Sequence, residues 1–170
     1  MDLKKYIRDI PDFPEPGILF RDITPLLRDA SAFQHVIDRF IERYEDEPLD
    51  AIVAVESRGF LFGAPLAYEM GKPFVPVRKQ GKLPSITHAA EYSLEYGSSV
   101  MEVHADDIIR GERVLLLDDL LATGGTMAAT ARLVEMSGGI VAGIGLVIEL
   151  TELGGRQRLA NYDVFSLVQY

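Results

Sequence analysis

The 170-residue chain contains no cysteine, which excludes a disulfide framework and any thiolate metal site. Its three histidines, His35, His88 and His104, lie on separate segments, and nothing in their spacing pairs them into a metal site. Long apolar runs are missing too. The longest β-rich one, Ile140 to Ile148, is far shorter than the ~20 residues of a membrane-spanning helix. The opening Met1-Asp2-Leu3-Lys4-Lys5-Tyr6 lacks the apolar core of a secretory signal, so a soluble cytoplasmic protein with no membrane partner is expected. Positive charge is in deficit: 17 Lys and Arg stand against 26 Asp and Glu, a net charge of −9. That balance argues against nucleic acid as the main partner, because phosphate backbones select basic surfaces. A small phosphorylated ligand is still compatible with it, given a local basic cluster and the help of a divalent metal.

A chain of this length can bury a proper core, and residues 1–170 read as a single domain. Residues 1–30 stand apart. Pro11, Pro14, Pro16 and Pro25, with Gly17 between them, predict an irregular cap after one short helix over about Leu3 to Arg8. Beyond it, Phe33, Val36, Ile37, Phe40 and Ile41 recur at helical spacing. Ala51 to Val55, Phe74 to Val77, Val114 to Leu117, Ile140 to Ile148 and Val164 to Val168 read as strands. Gly59 to Met70, Thr126 to Met136 and Glu152 to Leu159 read as helices. Residues 78–97 predict a long loop with short antiparallel pieces at its ends. Strands alternating with helices imply an α/β fold, a doubly wound parallel sheet covered on both faces. Ligands in such sheets bind at the carboxyl ends of the strands. That rule brings together the segments after Val55, Val77 and Leu117.

Those segments carry the chemistry. Val114-Leu115-Leu116-Leu117 runs into Asp118 and Asp119, then Ala122-Thr123-Gly124-Gly125-Thr126 and a helical pattern. Amides of a glycine-rich turn and a helix N-terminus together make an anion nest. Adjacent acids at a strand end suit Mg²⁺ in a phosphorelay receiver, or ribose hydroxyls beside a phosphate. They also suit plain helix N-terminal charge. A receiver needs no glycine nest here, and a Walker A loop would need a lysine that this loop lacks. After the first strand, Glu56-Ser57-Arg58-Gly59 reads either as an anion-holding turn or as a solvated turn with Ser57 capping the helix. Arg78-Lys79-Gln80-Gly81-Lys82 is the densest basic run of an acidic chain.

Val114 to Thr126 resembles the phosphoribosyl-pyrophosphate (PRPP) motif of type I phosphoribosyltransferases. Four further segments resemble the adenine phosphoribosyltransferase family in order and spacing. They are Phe13 to Pro25, Glu56 to Gly63, Arg78 to Pro84 and Tyr92 to Gly97. Essentially the whole chain is covered.

The resemblance implies transfer of a phosphoribosyl group from PRPP to adenine, giving AMP and pyrophosphate. It implies Mg²⁺ as cofactor, held by PRPP and water with no direct protein ligand, and a homodimer. It assigns Ala122, Thr123, Gly124, Gly125 and Thr126 to the 5′-phosphate, and Asp118 and Asp119 to the ribose hydroxyls. Glu56, Ser57 and Arg58 would receive pyrophosphate, with Arg78, Lys79 and Lys82 adding positive charge. Residues 1–30 would form a hood in which Leu19 and Arg21 read adenine through main-chain atoms and Phe20 packs on the base. The loop over 78–97 would be a lid carrying the catalytic residues Glu95 and Tyr96, with Arg58 as the third. Ala122 stands where the 6-oxopurine enzymes typically carry an aspartate, which points to a 6-aminopurine. A PRPP-sensing regulatory module is the alternative from another class.

Overall fold

Val114, Leu115, Leu116 and Leu117 are all fully buried. A run that is apolar on both faces belongs in the middle of a sheet covered on both sides, and that is where it lies. The computed structural model describes residues 1–93 and 97–170. A 3₁₀ turn (Leu3–Tyr6) precedes β1 (Arg8–Pro11), β2 (Leu19–Asp22), α1 (Thr24–Arg28) and α2 (Ala30–Tyr44). Then come β3 (Ala51–Val55), α3 (Arg58–Met70), β4 (Phe74–Lys79), β5 (Thr87–Ser93) and β6 (Ser98–His104). The chain continues through β7 (Arg113–Leu121), α4 (Gly125–Met136), β8 (Ile140–Glu149), a 3₁₀ turn (Thr151–Leu153), α5 (Gly155–Arg158) and β9 (Val164–Gln169).

Among the described residues the main sheet has the order β5-β6-β4-β3-β7-β8-β9. From β4 to β9 every neighbouring pair is parallel. Side chains alternate across the sheet, so one strand feeds two cores. Leu115 and Leu117 of β7 pack with Val36 and Phe40 of α2 and Phe62 and Leu66 of α3. Val114 and Leu116 pack with Met127, Leu133 and Val134 of α4. Among the described residues, no helix is long and apolar enough to cross a membrane.

The expected parallel sheet is present from β4 to β9; two finer expectations, the long loop over 78–97 and the helix over Leu3 to Arg8, need correction. The sheet is mixed: β6 runs antiparallel to both β4 and β5 at one edge. Residues 78–97 are therefore less of a loop than their composition suggests. β5 and β6 pair continuously from Thr87 opposite His104 to Ser93 opposite Ser98. Among the described residues of this hairpin, Ala90, Met101 and Val103 are the buried apolar side chains, with Tyr92 partly buried against them, too few to mark two strands in the sequence. In the N-terminal cap the expected helix over Leu3 to Arg8 is only a 3₁₀ turn, capped by Asp2, whose carboxylate accepts from the Lys4 amide at 3.2 Å. Arg8 already belongs to the β1–β2 hairpin, which pairs Arg8 with Asp22 and Pro11 with Leu19. Most side chains of that hairpin are exposed or half-buried, so no hydrophobic alternation marks it.

Candidate active site

The carboxyl ends of β3, β4 and β7 surround a cavity of about 560 Å³. It is lined by Glu56, Ser57, Arg58, Lys79, Lys82, Asp118, Asp119 and the segment Ala122 to Thr126. The sheet thus gathers residues 70 positions apart, from the turn at 56 to the loop ending at 126. Glu95 and Tyr96 lie outside the described residues.

β7 continues through Leu121, so both aspartates are strand residues. The Asp119 amide donates to Asp118 Oδ1 at 2.8 Å. α3 starts hard against this strand end because its second residue is glycine. A Cβ on Gly59 would lie 3.0 Å from the Leu117 carbonyl oxygen and 3.1 Å from Asp118 Oδ1. That approach brings Arg58 Nε within 2.9 Å of Asp119 Oδ2, an ion pair without hydrogen-bond alignment. Burial, reinforced by the neighbouring Asp119 charge, pushes the Asp118 carboxyl well above the usual carboxylate range. Burial also raises Asp119, against the opposing pull of the Arg58 guanidinium. The pair is a costly place for two negative charges, and donors from a hydroxyl-bearing ligand would relieve it.

The turn after β3 organises the basic run after β4. The Glu56 side chain is only 6 % exposed. Its carboxylate accepts from the Lys79 amide at 2.6 Å and from Lys82 Nζ at 2.7 Å, with Arg78 Nε 3.4 Å away. Burial raises its pKa, but the bonds from Lys82 and Lys79 and the nearby cationic charges outweigh that and hold it below the usual range. Glu56 therefore fixes where the lysines stand. Lys79 and Lys82 reach the cavity lining, whereas Arg78 is held behind it, 3.4 Å from the Lys82 carbonyl oxygen. The Glu56–Ser57 peptide bond is cis.

At the other end of the cavity, Gly124 sits at φ +81°, the left-handed region open to glycine, and opens α4. No side chain caps this helix, and no acid lies in its first turn. Its leading amides are left to an outside acceptor, and the dipole favours an anion there.

The hood residues surround a smaller apolar pocket of about 430 Å³ lined by Ile10, Phe13, Phe20, Leu27 and Leu61, which Arg58 shares with the main cavity. The Arg58 guanidinium lies 5.3 Å from the centre of the Phe20 ring. Leu19 is 44 % exposed. The Arg21 side chain turns away from the cavity, paired with Asp9 and stacked 3.6 Å over the Tyr170 ring.

Sequence reasoning gave no site role to six of the cavity-lining residues, Val55, Tyr92, Met101, Leu120, Leu121 and Met127. Leu120 and Met127 look like ordinary core residues beside a leucine run and on a helix. Tyr92 could have been found from its place at the start of the segment Tyr92 to Gly97. Among the described residues, no three His, Asp or Glu side chains converge as a metal cage. Mg²⁺ commonly keeps several waters and needs only one or two carboxylates beside phosphate oxygens. Asp118 and Asp119 on the cavity wall fit that requirement.

One cavity in a parallel sheet thus gathers an acidic strand end, an uncapped glycine nest and a basic turn, the set that the resemblance to phosphoribosyltransferases implies. Residues 25–168 match the family model of the phosphoribosyl transferase domain. The chain is 57% identical over 170 residues to the adenine phosphoribosyltransferase of Acaryochloris marina (strain MBIC 11017), covering 100% of both. The crystal structure of adenine phosphoribosyltransferase from Thermoanaerobacter pseudethanolicus superposes with a TM-score of 0.97 at 54% identity, covering 99% of this chain and 98% of that one. The Saccharomyces cerevisiae enzyme, complexed with D-2,5-dideoxy-2,5-imino-altritol 1,6-bisphosphate and adenine, gives 0.93 at 44% identity, covering 98% and 96%. The chain belongs to the adenine phosphoribosyltransferases, purine-salvage enzymes that transfer a pentosyl group.

Proposed function

We propose that this chain converts adenine and PRPP to AMP and pyrophosphate in the cytoplasm, as a homodimer and with Mg²⁺. The observation that carries the reading is the meeting of three groups around one cavity: the Asp118–Asp119 strand end, the uncapped α4 N-terminus, and the basic cluster ordered by Glu56. PRPP presents hydroxyls, a 5′-phosphate and a pyrophosphate, one partner for each of the three. The yeast relative was captured with a bisphosphate and adenine together.

In this reading, amides of Ala122 to Thr126 and the α4 dipole hold the 5′-phosphate. Asp118 and Asp119 accept from the ribose hydroxyls. Breaking the bond from C1′ to pyrophosphate builds positive charge on the sugar, in an oxocarbenium-like transition state, and negative charge on the leaving group. Arg58, Lys79 and Lys82 line the leaving-group side, with Ser57 in the same turn and Arg78 behind it, and their charge favours departure. Asp118 and Asp119 would hold Mg²⁺ through water, and the ion would supply charge stabilisation for the leaving pyrophosphate. Adenine would lie against Phe20, its edge read by main-chain atoms of Leu19 and Arg21, with Leu120 on the cavity wall. A closed lid would keep water from hydrolysing PRPP. Glu95 would share a proton with N7 of the base as N9 loses its own, and Tyr96 would act beside it.

Three variants test the base side. Glu95→Gln is expected to lower kcat with adenine by about 10²-fold, in the range of a lost general acid–base; wild-type turnover would remove the role. Tyr170→Ala is expected to raise KM for adenine by roughly three- to tenfold, the size of a cation–π contact, and leave KM for PRPP near parental. Tyr170→Phe keeps the ring under Arg21 and is expected to behave like the parent. Equal losses toward both substrates in steady-state kinetics would refute that positioning. For the metal, EDTA is expected to abolish turnover and added Mg²⁺ to restore it; full activity in EDTA would remove Mg²⁺ from the reading.

A further inference from the structure

The phosphate loop has a wall behind it that is built from backbone. A Cβ placed on Gly155 would lie 2.4 Å from the Ala122 carbonyl oxygen and 2.9 Å from Leu121 Cγ. In the other direction, a Cβ on Gly124 would lie 2.8 Å from the Gly155 carbonyl oxygen. Gly155 and the loop therefore touch backbone to backbone, with no room for a methyl group between them. Gly154, at φ +66°, makes the turn that brings Gly155 there.

The residue after Gly155 is locked in place. Arg156 donates through Nε to Glu149 Oε1 at 2.8 Å, through Nη2 to Glu149 Oε2 at 2.5 Å and through Nη1 to the Val164 carbonyl oxygen at 2.7 Å. Glu149 is 3 % exposed, and Oε2 also accepts from Ser166 Oγ at 2.6 Å and Gln169 Nε2 at 3.1 Å. The hydrogen bonds from Arg156, only partly offset by burial, hold this carboxyl down to about 2. The end of β8 is joined to the end of β7 by the Leu150 amide, which donates to the Leu121 carbonyl oxygen at 2.9 Å. A buried, four-donor carboxylate at the end of β8 thus anchors the segment that presses on the loop.

We propose that Gly155, fixed by the Glu149–Arg156 fork, is a brace that presets the shape of the loop Ala122 to Thr126 for the substrate's 5′-phosphate, making Gly155 and Arg156 positioning residues for the transfer. The inference rests on the assignment of that loop to the 5′-phosphate. A loop containing two glycines is cheap to distort, and amides that must all point at one phosphate gain most from being held before it arrives. The brace supplies that holding without touching the ligand. The three atoms nearest to a Cβ on Gly155 all belong to Leu121 and Ala122, none to the turn at Glu56 to Arg58 that would take pyrophosphate.

The test uses the full chain and three ligands: PRPP, AMP and pyrophosphate. In Gly155→Ala the loop must retreat from the new methyl group. KM for PRPP and Kd for AMP are expected to rise by about 30- to 100-fold, the scale set by a displacement near 1 Å. The Kd for pyrophosphate and KM for adenine are expected to stay within about twofold. Arg156→Lys keeps the charge but not the planar fork, and is expected to weaken AMP by roughly fivefold with pyrophosphate unchanged; it decides the matter if Gly155→Ala does not fold. Thr126→Ala, which removes a hydroxyl placed to donate to the 5′-phosphate beside the loop amides, separates the two layers of the argument. If it weakens AMP while folded Gly155→Ala and Arg156→Lys leave AMP binding at the parental value, the brace is refuted and the loop assignment stands. If Gly155→Ala and Arg156→Lys weaken AMP, pyrophosphate and adenine alike, the segment is merely structural and the brace is again refuted. If Thr126→Ala leaves AMP binding unchanged, the loop assignment falls and the brace with it.

Discussion

Replacing Asp118 and Asp119 together by asparagine is expected to lower kcat/KM for PRPP by roughly 10²- to 10⁴-fold, two charge-assisted hydrogen bonds at about 1.5–3 kcal/mol each. The same change is expected to make the folded chain more stable at neutral pH. Both carboxyls are pushed above their ordinary range, chiefly by burial, and Asp118 also by its neighbour's charge. Ionising them in the folded state therefore costs free energy that asparagine does not. The lost pairing with Arg58 offsets little of this, because the Arg58 side chain is 36% exposed and can be hydrated. The sign with pH follows. A raised folded pKa means the parent carries no penalty on the acid side of the ordinary value of 3.8. The penalty appears as pH rises through the folded values. Urea unfolding should show parent and variant converging toward pH ~4 and the variant ahead at pH ~7. An unchanged affinity for PRPP would refute the ribose role of the pair. A variant less stable than the parent at neutral pH would refute the electrostatic account of it.

The second large effect is expected at Gly124. Its φ of +81° is strained for any residue with a side chain, and an added Cβ would also meet the Gly155 carbonyl oxygen at 2.8 Å. Gly124→Ala should cost about 1–2 kcal/mol of stability for the left-handed residue alone. Its effect on ligands should be larger in proportion, because the nest works by aiming several amides at once. A shift near 1 Å is expected to raise KM for PRPP and Kd for AMP by about 10²-fold. Calorimetric titration with AMP, alongside urea unfolding of the same preparation, separates the two effects. Parental AMP affinity in a folded variant would mean that this loop is not the phosphate site.

How much of this was legible in the sequence depends on where each residue's partners lie. The centre of the sheet was legible because Val114 to Leu117 is apolar on both faces, and only a central strand tolerates that. The acidic strand end and the glycine nest were legible because both are contiguous and chemically out of place after a buried strand. The β1–β2 hairpin was not, because its side chains are mostly exposed or half-buried and leave no alternation to read. β6 escaped for a related reason: only Met101, Glu102 and Val103 of it are buried, and Glu102, whose carboxylate accepts from the Gly81 amide at 3.0 Å, stands between the two apolar side chains. The service Glu56 performs for Lys79 and Lys82 depends on partners 23 and 26 residues away. Such a partnership exists only after β3 and β4 have paired. Gly155 is a similar case, since its reason for being glycine is the Ala122 carbonyl that the fold brings against it.

The central claim is that one cavity holds PRPP through the β7–α4 loop while the hood selects adenine. The most direct measurement is nucleotide formation from PRPP and Mg²⁺ with adenine, hypoxanthine, guanine or xanthine supplied separately. A site that reads the purine edge with fixed main-chain groups leaves buried polar atoms unpaired when donor and acceptor are exchanged, a discrimination of about 10⁴-fold or more. The account predicts AMP from adenine and at most trace product from the three 6-oxopurines. Comparable product from hypoxanthine, or PRPP binding with no product from any base, would contradict it.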